Sequence, residues 1–221
     1  MTIRLEVCVD DLAGLQAAID GGADRIELCS RLDLDGLTPD AKLLSEVAAC
    51  PLPVRAMIRP MPGPFTATHA TMNRMRAEIE DCAAAGCEGV VFGLLDEAGK
   101  LASAQLRDLC NAAADLGKTL HRAVDQLPDP PEAVTIAEDL GFDTILSSGG
   151  AATVDIGAPV LARMVAAARH VTIMPGAGVN AENISEIATQ TGAIWLHGSF
   201  RGEDGKTSAA HIKRAVRALG C

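Results

Sequence analysis

Glu6-Val7-Cys8 and Glu27-Leu28-Cys29 repeat one pattern, an acid and a thiol two positions apart inside short apolar runs. On a β-strand, residues two apart face the same side. Each run therefore places a carboxylate and a thiol on one face. A buried carboxylate without a partner costs several kcal/mol, so a strand face that carries one is a place to expect chemistry. The same alternation, applied to later apolar runs, sends Arg55, Met57 and Arg59 to that interior, with Thr119, His121, Trp195 and His197. Carboxylates and imidazoles in an enclosed space can move protons. Guanidinium groups hold carboxylates or bound anions. Cys8, Cys29 and Met57 are soft donors of the kind that suits Cu(I), although their spacing is not in itself a metal signature and a buried Cys is commonly just a small apolar side chain. A satisfied Glu–Arg ion network is the structural alternative for Glu6, Glu27 and Arg25.

Two glycine-bearing stretches add to this set. Ser147-Ser148-Gly149-Gly150 and Pro175-Gly176-Ala177-Gly178-Val179-Asn180 each follow an apolar run, and the second leads into a helix. Glycines let backbone N–H groups approach an anion at a helix start, or simply permit tight turns. Ser148, Gly149, Gly176 and Gly178 are the ligand-binding candidates on that account. None of the five lysines, Lys42, Lys100, Lys118, Lys206 and Lys213, sits late on a strand, which disfavours Schiff-base chemistry. No His-x-x-x-His pair or Asp-rich cluster marks a hard-metal site, and no organic cofactor is indicated.

The elements that must position these residues alternate regularly. Strands are expected at 3–9, 24–29, 54–59, 89–94, 118–123, 144–148, 171–174 and 194–197, each followed by a helical pattern. Asp10 or Asp11 caps the first helix and Gly21-Gly22 stops it. Thr38-Pro39 starts the second. The longest runs from Thr68 to Ala85, with Met72, Met75, Ile79 and Cys82 on one core-facing stripe. Asp129-Pro130-Pro131-Glu132 opens the fifth, Asn180 caps the seventh, and Ser208 starts the last, through Leu219. Eight strand–helix units without a composition break predict a single-domain, compact α/β fold, the (β/α)8 TIM barrel over residues 1–221. A doubly wound open sheet is the competitor, but no G-x-G-x-x-G follows the first strand. In a barrel, Arg59, His121 and His197 fall late in their strands, at the end where sites form.

Composition narrows the function. The chain has 221 residues, 48% hydrophobic and 22% charged, which argues for a large packed core. A net charge of −10 and an aromatic content of 2% argue against nucleic-acid partners. No apolar run is long enough to span a membrane. The N-terminus enters a strand without a secretion signal, so the seven cysteines, the last being terminal Cys221, read as reduced thiols of a cytoplasmic protein.

Glu6-Val-Cys8-Val-Asp10, Gly21-Gly-Ala-Asp-Arg25-Ile-Glu27-Leu-Cys29-Ser30 and Gly36-Leu-Thr-Pro39 together resemble the CutC copper homeostasis family. So do Met57-Ile-Arg59-Pro60, His121-Arg-Ala-Val-Asp125, Ser148-Gly149, Met174-Pro-Gly-Ala-Gly178 and His197. The resemblance implies a cytoplasmic TIM barrel, commonly homo-oligomeric, with a role in copper handling and Cu(I) carried by Cys8 and Cys29. The chain departs from the family pattern in its third loop, Met61-Pro62-Gly63-Pro64-Phe65, and at Trp195-Leu196 ahead of His197. The alternative expectation is an enzyme acting on a small anionic or phosphorylated metabolite. Its catalytic candidates are Glu6, Glu27, Arg59, His121, Asp125 and His197.

Overall fold

Short β-branched and apolar runs become strands that are buried on both faces, as parallel strands under helices must be. The computed structural model describes residues 2–220. Its strands are β1 Arg4–Val9, β2 Arg25–Leu28, β3 Val54–Met57, β4 Gly89–Phe92, β5 Gly117–Leu120, β6 Thr144–Ser147, β7 Thr172–Pro175 and β8 Trp195–Gly198. They form one parallel sheet in the order β7-β6-β5-β4-β3-β2-β1-β8. Because β1 pairs with both β2 and β8, the sheet curls until β7 and β8 lie side by side, without a ladder between them among the described residues. The helices wrap outside: α1 Leu12–Gly21, α2 Ala41–Leu44, α3 His69–Ala84, α4 Ser103–Ala112, α5 Glu132–Leu140, α6 Val154–Ala167, α7 Ile184–Thr191 and α8 Ala209–Ala218. This is the (β/α)8 barrel that the alternation predicted.

The two faces of each strand separate as expected. Leu5, Val7, Ile26, Leu28, Val90, Phe92, Ile145 and Leu196 are buried in the apolar layer shared with the helices. Glu6, Arg25, Glu27, Arg55, Thr119 and His197 are buried polar residues of the alternate positions. On α3 the stripe of Met72, Met75, Ile79 and Cys82 is buried.

Asp11 caps α1 by accepting from the Gly14 N–H, and Gly22 ends it in the left-handed conformation, φ 89°. Thr68 caps α3 and Ser208 caps α8.

Three local expectations are corrected. The second helix is capped by Asp40, whose Oδ1 accepts from the Leu43 N–H at 2.8 Å. Thr38 is instead a tie between layers: its Oγ1 accepts from the Arg59 N–H and donates to Glu78. Asn180 caps the turn ahead of α7 rather than α7 itself, accepting at Oδ1 from the N–H groups of Glu182 and Asn183. The strands also stop earlier than the apolar runs do. Arg59 precedes Pro60, which has no N–H to continue a ladder. His121 accepts at Nδ1 from the Ala123 N–H and so opens a 3-10 turn, Arg122–Gln126. Arg59, His121, Cys29 and Ser148 therefore stand just past their strands, on the rim. Cys221 lies outside the described residues.

Candidate functional site

The barrel interior is layered. At the N-terminal end, Arg55 of β3 closes the bottom. Its guanidinium donates to Glu88, Asp143, Thr119 and Thr144, with Nε–Oε2 of Glu88 at 2.9 Å and Nη1–Oδ1 of Asp143 at 2.6 Å. Glycines at 89 and 117 make room for it, since a methyl group on Gly117 would sit 2.5 Å from Arg55 Nη2. This is the satisfied ion network that a polar barrel core requires.

The middle layer holds the repeated Glu-x-Cys motif. Glu6 is fully buried and bonded on both oxygens, to Arg25 Nε at 2.5 Å and His197 Nδ1 at 2.8 Å. Arg25 also lies over the Trp195 ring, 4.2 Å from its centroid. Burial drives the Glu6 carboxyl upward, but Arg25 and His197 outweigh it and hold it at about 2. Glu27 is placed differently. Its Oε2 is 3.5 Å from Cys29 Sγ and 3.8 Å from His197 Nε2, and its Oε1 is buried without a partner. Burial raises its pKa, with His197 opposing and the Glu6 charge reinforcing the rise. Burial likewise raises the Cys29 thiol, helped by Glu27 and Cys8. Burial lowers His197, yet Cys8, Glu27 and Glu6 outweigh it and raise the imidazole well above its ordinary range.

Above this layer a cavity of about 640 Å³ opens at the C-terminal end of the barrel. Cys8, Glu27, Met57, Arg59, His121 and His197 line it, with Arg122, Asp125 and Arg201 at the rim. Arg59 is held by three carbonyls, donating to Leu34, Gly36 and Gly63, and its guanidinium lies 4.8 Å from the Phe65 ring centroid. Among the described residues no carboxylate pairs with it. Phe65 in turn packs on His121, centroids 4.7 Å apart, so the third loop builds one wall of the cavity. His121 is held neutral, at about 3, by burial and by the nearby Arg59 charge. Since Nδ1 accepts from Ala123, the ring proton is assigned to Nε2.

The two glycine loops behave oppositely. Asp125 sits inside the β6 loop as its anion, accepting from Ser147 Oγ, from Ser148 N and Oγ, and from Gly150 N. Gly149 N donates to Ser147 Oγ. The donors of Ser148 and Gly149 are thus spent inside the protein, and Asp125 organises the loop. In the β7 loop, Gly176 N donates to Ser147 O, while Gly178 faces the cavity with φ 86°.

A family model described as the CutC family matches residues 3–202. A CutC protein of Caulobacter vibrioides is 46% identical over 201 residues, covering 90% of this chain and 82% of the relative. One of Rhizobium meliloti is 46% identical over 198 residues, covering 89% and 81%. The chain belongs to the CutC family. A Streptococcus agalactiae CutC structure, named for copper homeostasis, superposes with a TM-score of 0.85 at 26% identity, covering 90% of this chain and 99% of that one. The thiamine phosphate pyrophosphorylase of Pyrococcus furiosus shares the barrel alone, with a TM-score of 0.67 at 14% identity over 99% and 96% of the two chains.

The copper associated with CutC by name can be tested on the donor atoms of this chain. One ligand atom each from Cys8, Glu27 and His197 lies within 4.8 Å of the others. Cys29, paired with Cys8 by the repeated motif, is not in that group; it is turned onto Glu27 in a small apolar cluster with Met57, Val91 and Leu32. Sulfur and imidazole donors fit a soft ion. The Glu6 hydrogen bond to Nδ1 leaves Nε2 as the ligand atom, the usual way a carboxylate orients a metal-binding His. Arg122 and Arg201 are not among the sequence candidates, and Phe65 is named there only as part of the departing third loop. They follow strands or sit in a proline-rich loop, where alternation carries no information.

Proposed function

We propose that this CutC chain binds one cuprous ion at the floor of the barrel mouth, through Cys8 Sγ and His197 Nε2 with Glu27 beside them. The convergence of these three side chains within 4.8 Å carries the reading. The six described cysteines are free thiols, as Cu(I) in a reducing cytoplasm requires. Bound copper would compete with protons for these donor atoms. The test is an anaerobic titration of reduced protein against a Cu(I) chelator. About one ion per chain is expected, lost in Cys8→Ala and in His197→Asn, and kept in Cys29→Ala. Full stoichiometry in Cys8→Ala overturns the site.

A second reading gives the same cavity acid–base chemistry on a small anionic metabolite. Arg59 favours it, as a buried cation with no carboxylate partner among the described residues. The Glu27 carboxyl, raised by burial, stands as the proton-transferring acid of the cavity, and His121, a neutral imidazole with its proton on Nε2, stands as a hydrogen-bond donor beside it. Incubation with a deproteinised cell extract in D2O tests this by mass spectrometry. A metabolite should gain deuterium with the wild type and not with Glu27→Gln; identical profiles for the two overturn it.

A further inference from the structure

We propose that the loops after β7 and β8 form a phosphate-binding subsite at the rim of the cavity, which takes the phosphoryl group of a small phosphate monoester. This rests on the acid–base reading, to which it adds a substrate class, and is independent of copper. The loops touch one another: a methyl group on Gly198 would meet Val179 O at 3.1 Å. Among the described residues, no acceptor receives the N–H groups of Ala177, Gly178, Val179, Ser199 or Phe200. The carbonyls of the first loop, by contrast, are tied down. Ala177 O accepts from the Val154 N–H, and Gly178 O accepts from the side-chain amides of Asn180 and Asn183. The chain therefore leaves its donors free while its acceptors are engaged. Arg201 adds one more. Its Nη2 donates to Asp10 at 2.7 Å, which leaves a buried Nε–H without a partner.

The β6 loop provides the contrast within the same molecule. There the donors of Ser147, Ser148 and Gly150 close on the Asp125 carboxylate. Among the described residues, no carboxylate fills the β7–β8 loops in this way. Ala177 at φ 77° and Phe200 at φ 48° are held in the left-handed region without being glycine, as happens where a loop is shaped for a function rather than for its own comfort. Of these residues Ala177, Gly178, Val179, Ser199 and Arg201 line the cavity, and the three terminal oxygens of a phosphate monoester offer such donors more acceptor sites than the two oxygens of a carboxylate do. With the phosphoryl group on these loops, a cavity of about 640 Å³ leaves room for a few carbons reaching toward Glu27 and His121.

The experiment uses metal-free protein and titrates inorganic phosphate, glycerol 3-phosphate and glycerol by calorimetry. Phosphate and glycerol 3-phosphate should bind, and glycerol should not. At position 178 the backbone is left-handed and an added Cβ meets only Thr153, at 3.8 Å, so Asn and Asp are both accommodated. Gly178→Asn should retain binding and Gly178→Asp should weaken it at least about tenfold by like-charge repulsion. Absence of phosphate binding by the wild type, or equal binding by the Asn and Asp variants, overturns the subsite and leaves water as the partner of these amides. Glu27→Gln should bind phosphate like the wild type. If it does so and also matches the wild type in deuterium incorporation, the subsite stands and the acid–base reading falls.

Discussion

Glu6 Oε1 lies 2.8 Å from His197 Nδ1, across nearly the whole length of the chain. The two residues are directly paired between β1 and β8, so the contact is set by barrel closure. Through its other oxygen Glu6 holds Arg25 of β2. One carboxylate thus joins three strands and presents Nε2 of His197 to Cys8 and Glu27.

Glu6→Gln should destabilise the fold by about 3–5 kcal/mol, because it strands Arg25 and His197 as buried cations. Glu6 is held at about 2, below the ordinary 4.5. Its contribution is therefore complete above pH 4.5 and is lost as pH falls from 4.5 toward 2. Urea unfolding at several pH values should show that acid loss in the wild type and a flatter profile in the variant.

His121, held at about 3 rather than 6.5, should stay neutral at pH 5. In that window the unfolded chain takes up a proton that the folded one refuses, so stability falls as pH drops from 6.5 toward 3. One proton contributes up to about 1.4 kcal/mol per pH unit. The difference between wild type and His121→Gln should have this slope, and imidazole NMR shifts of the wild type should show an Nε2–H tautomer at pH 5. A His121 signal that titrates near 6.5 contradicts the geometry.

Asp125→Asn replaces an acceptor of several N–H and O–H donors with a group that carries donors of its own. A loss of about 3 kcal/mol is expected. Hydrogen exchange should report it locally, with the Ser148 and Gly150 amides losing protection before the strands do. Uniform loss across the barrel would mean that Asp125 serves the global fold and not its loop.

Arg55→Met at the barrel bottom is expected to cost less than the Glu6 change, about 1–3 kcal/mol. Its acid partners Glu88 and Asp143 have side chains 44% and 45% exposed and can turn to water. Cu(I) and phosphate titrations should match the wild type, because the change lies at the end of the barrel opposite the cavity.

The sequence by itself determined the barrel and its inward face. Strict alternation in Leu5–Val9 and Arg25–Leu28 leaves one arrangement in which Val7, Ile26 and Leu28 meet helices, and that arrangement sends Glu6, Cys8 and Glu27 inward. It also carried enough of the motif set to show the CutC resemblance. Alternation says which face a side chain takes but nothing about its partner on that face, since partners come from strands far apart in the chain. The CutC resemblance implied Cys8 and Cys29 together as carriers of copper. Barrel closure brings His197 to Cys8, and Cys29 turns its thiol onto Glu27. The two glycine loops looked alike as sequences. Only the tertiary structure decided that Asp125 fills the first and that, among the described residues, the N–H groups of Ala177, Gly178 and Val179 in the second meet no acceptor, because hydrogen-bond accounting depends on what folding brings within 3 Å.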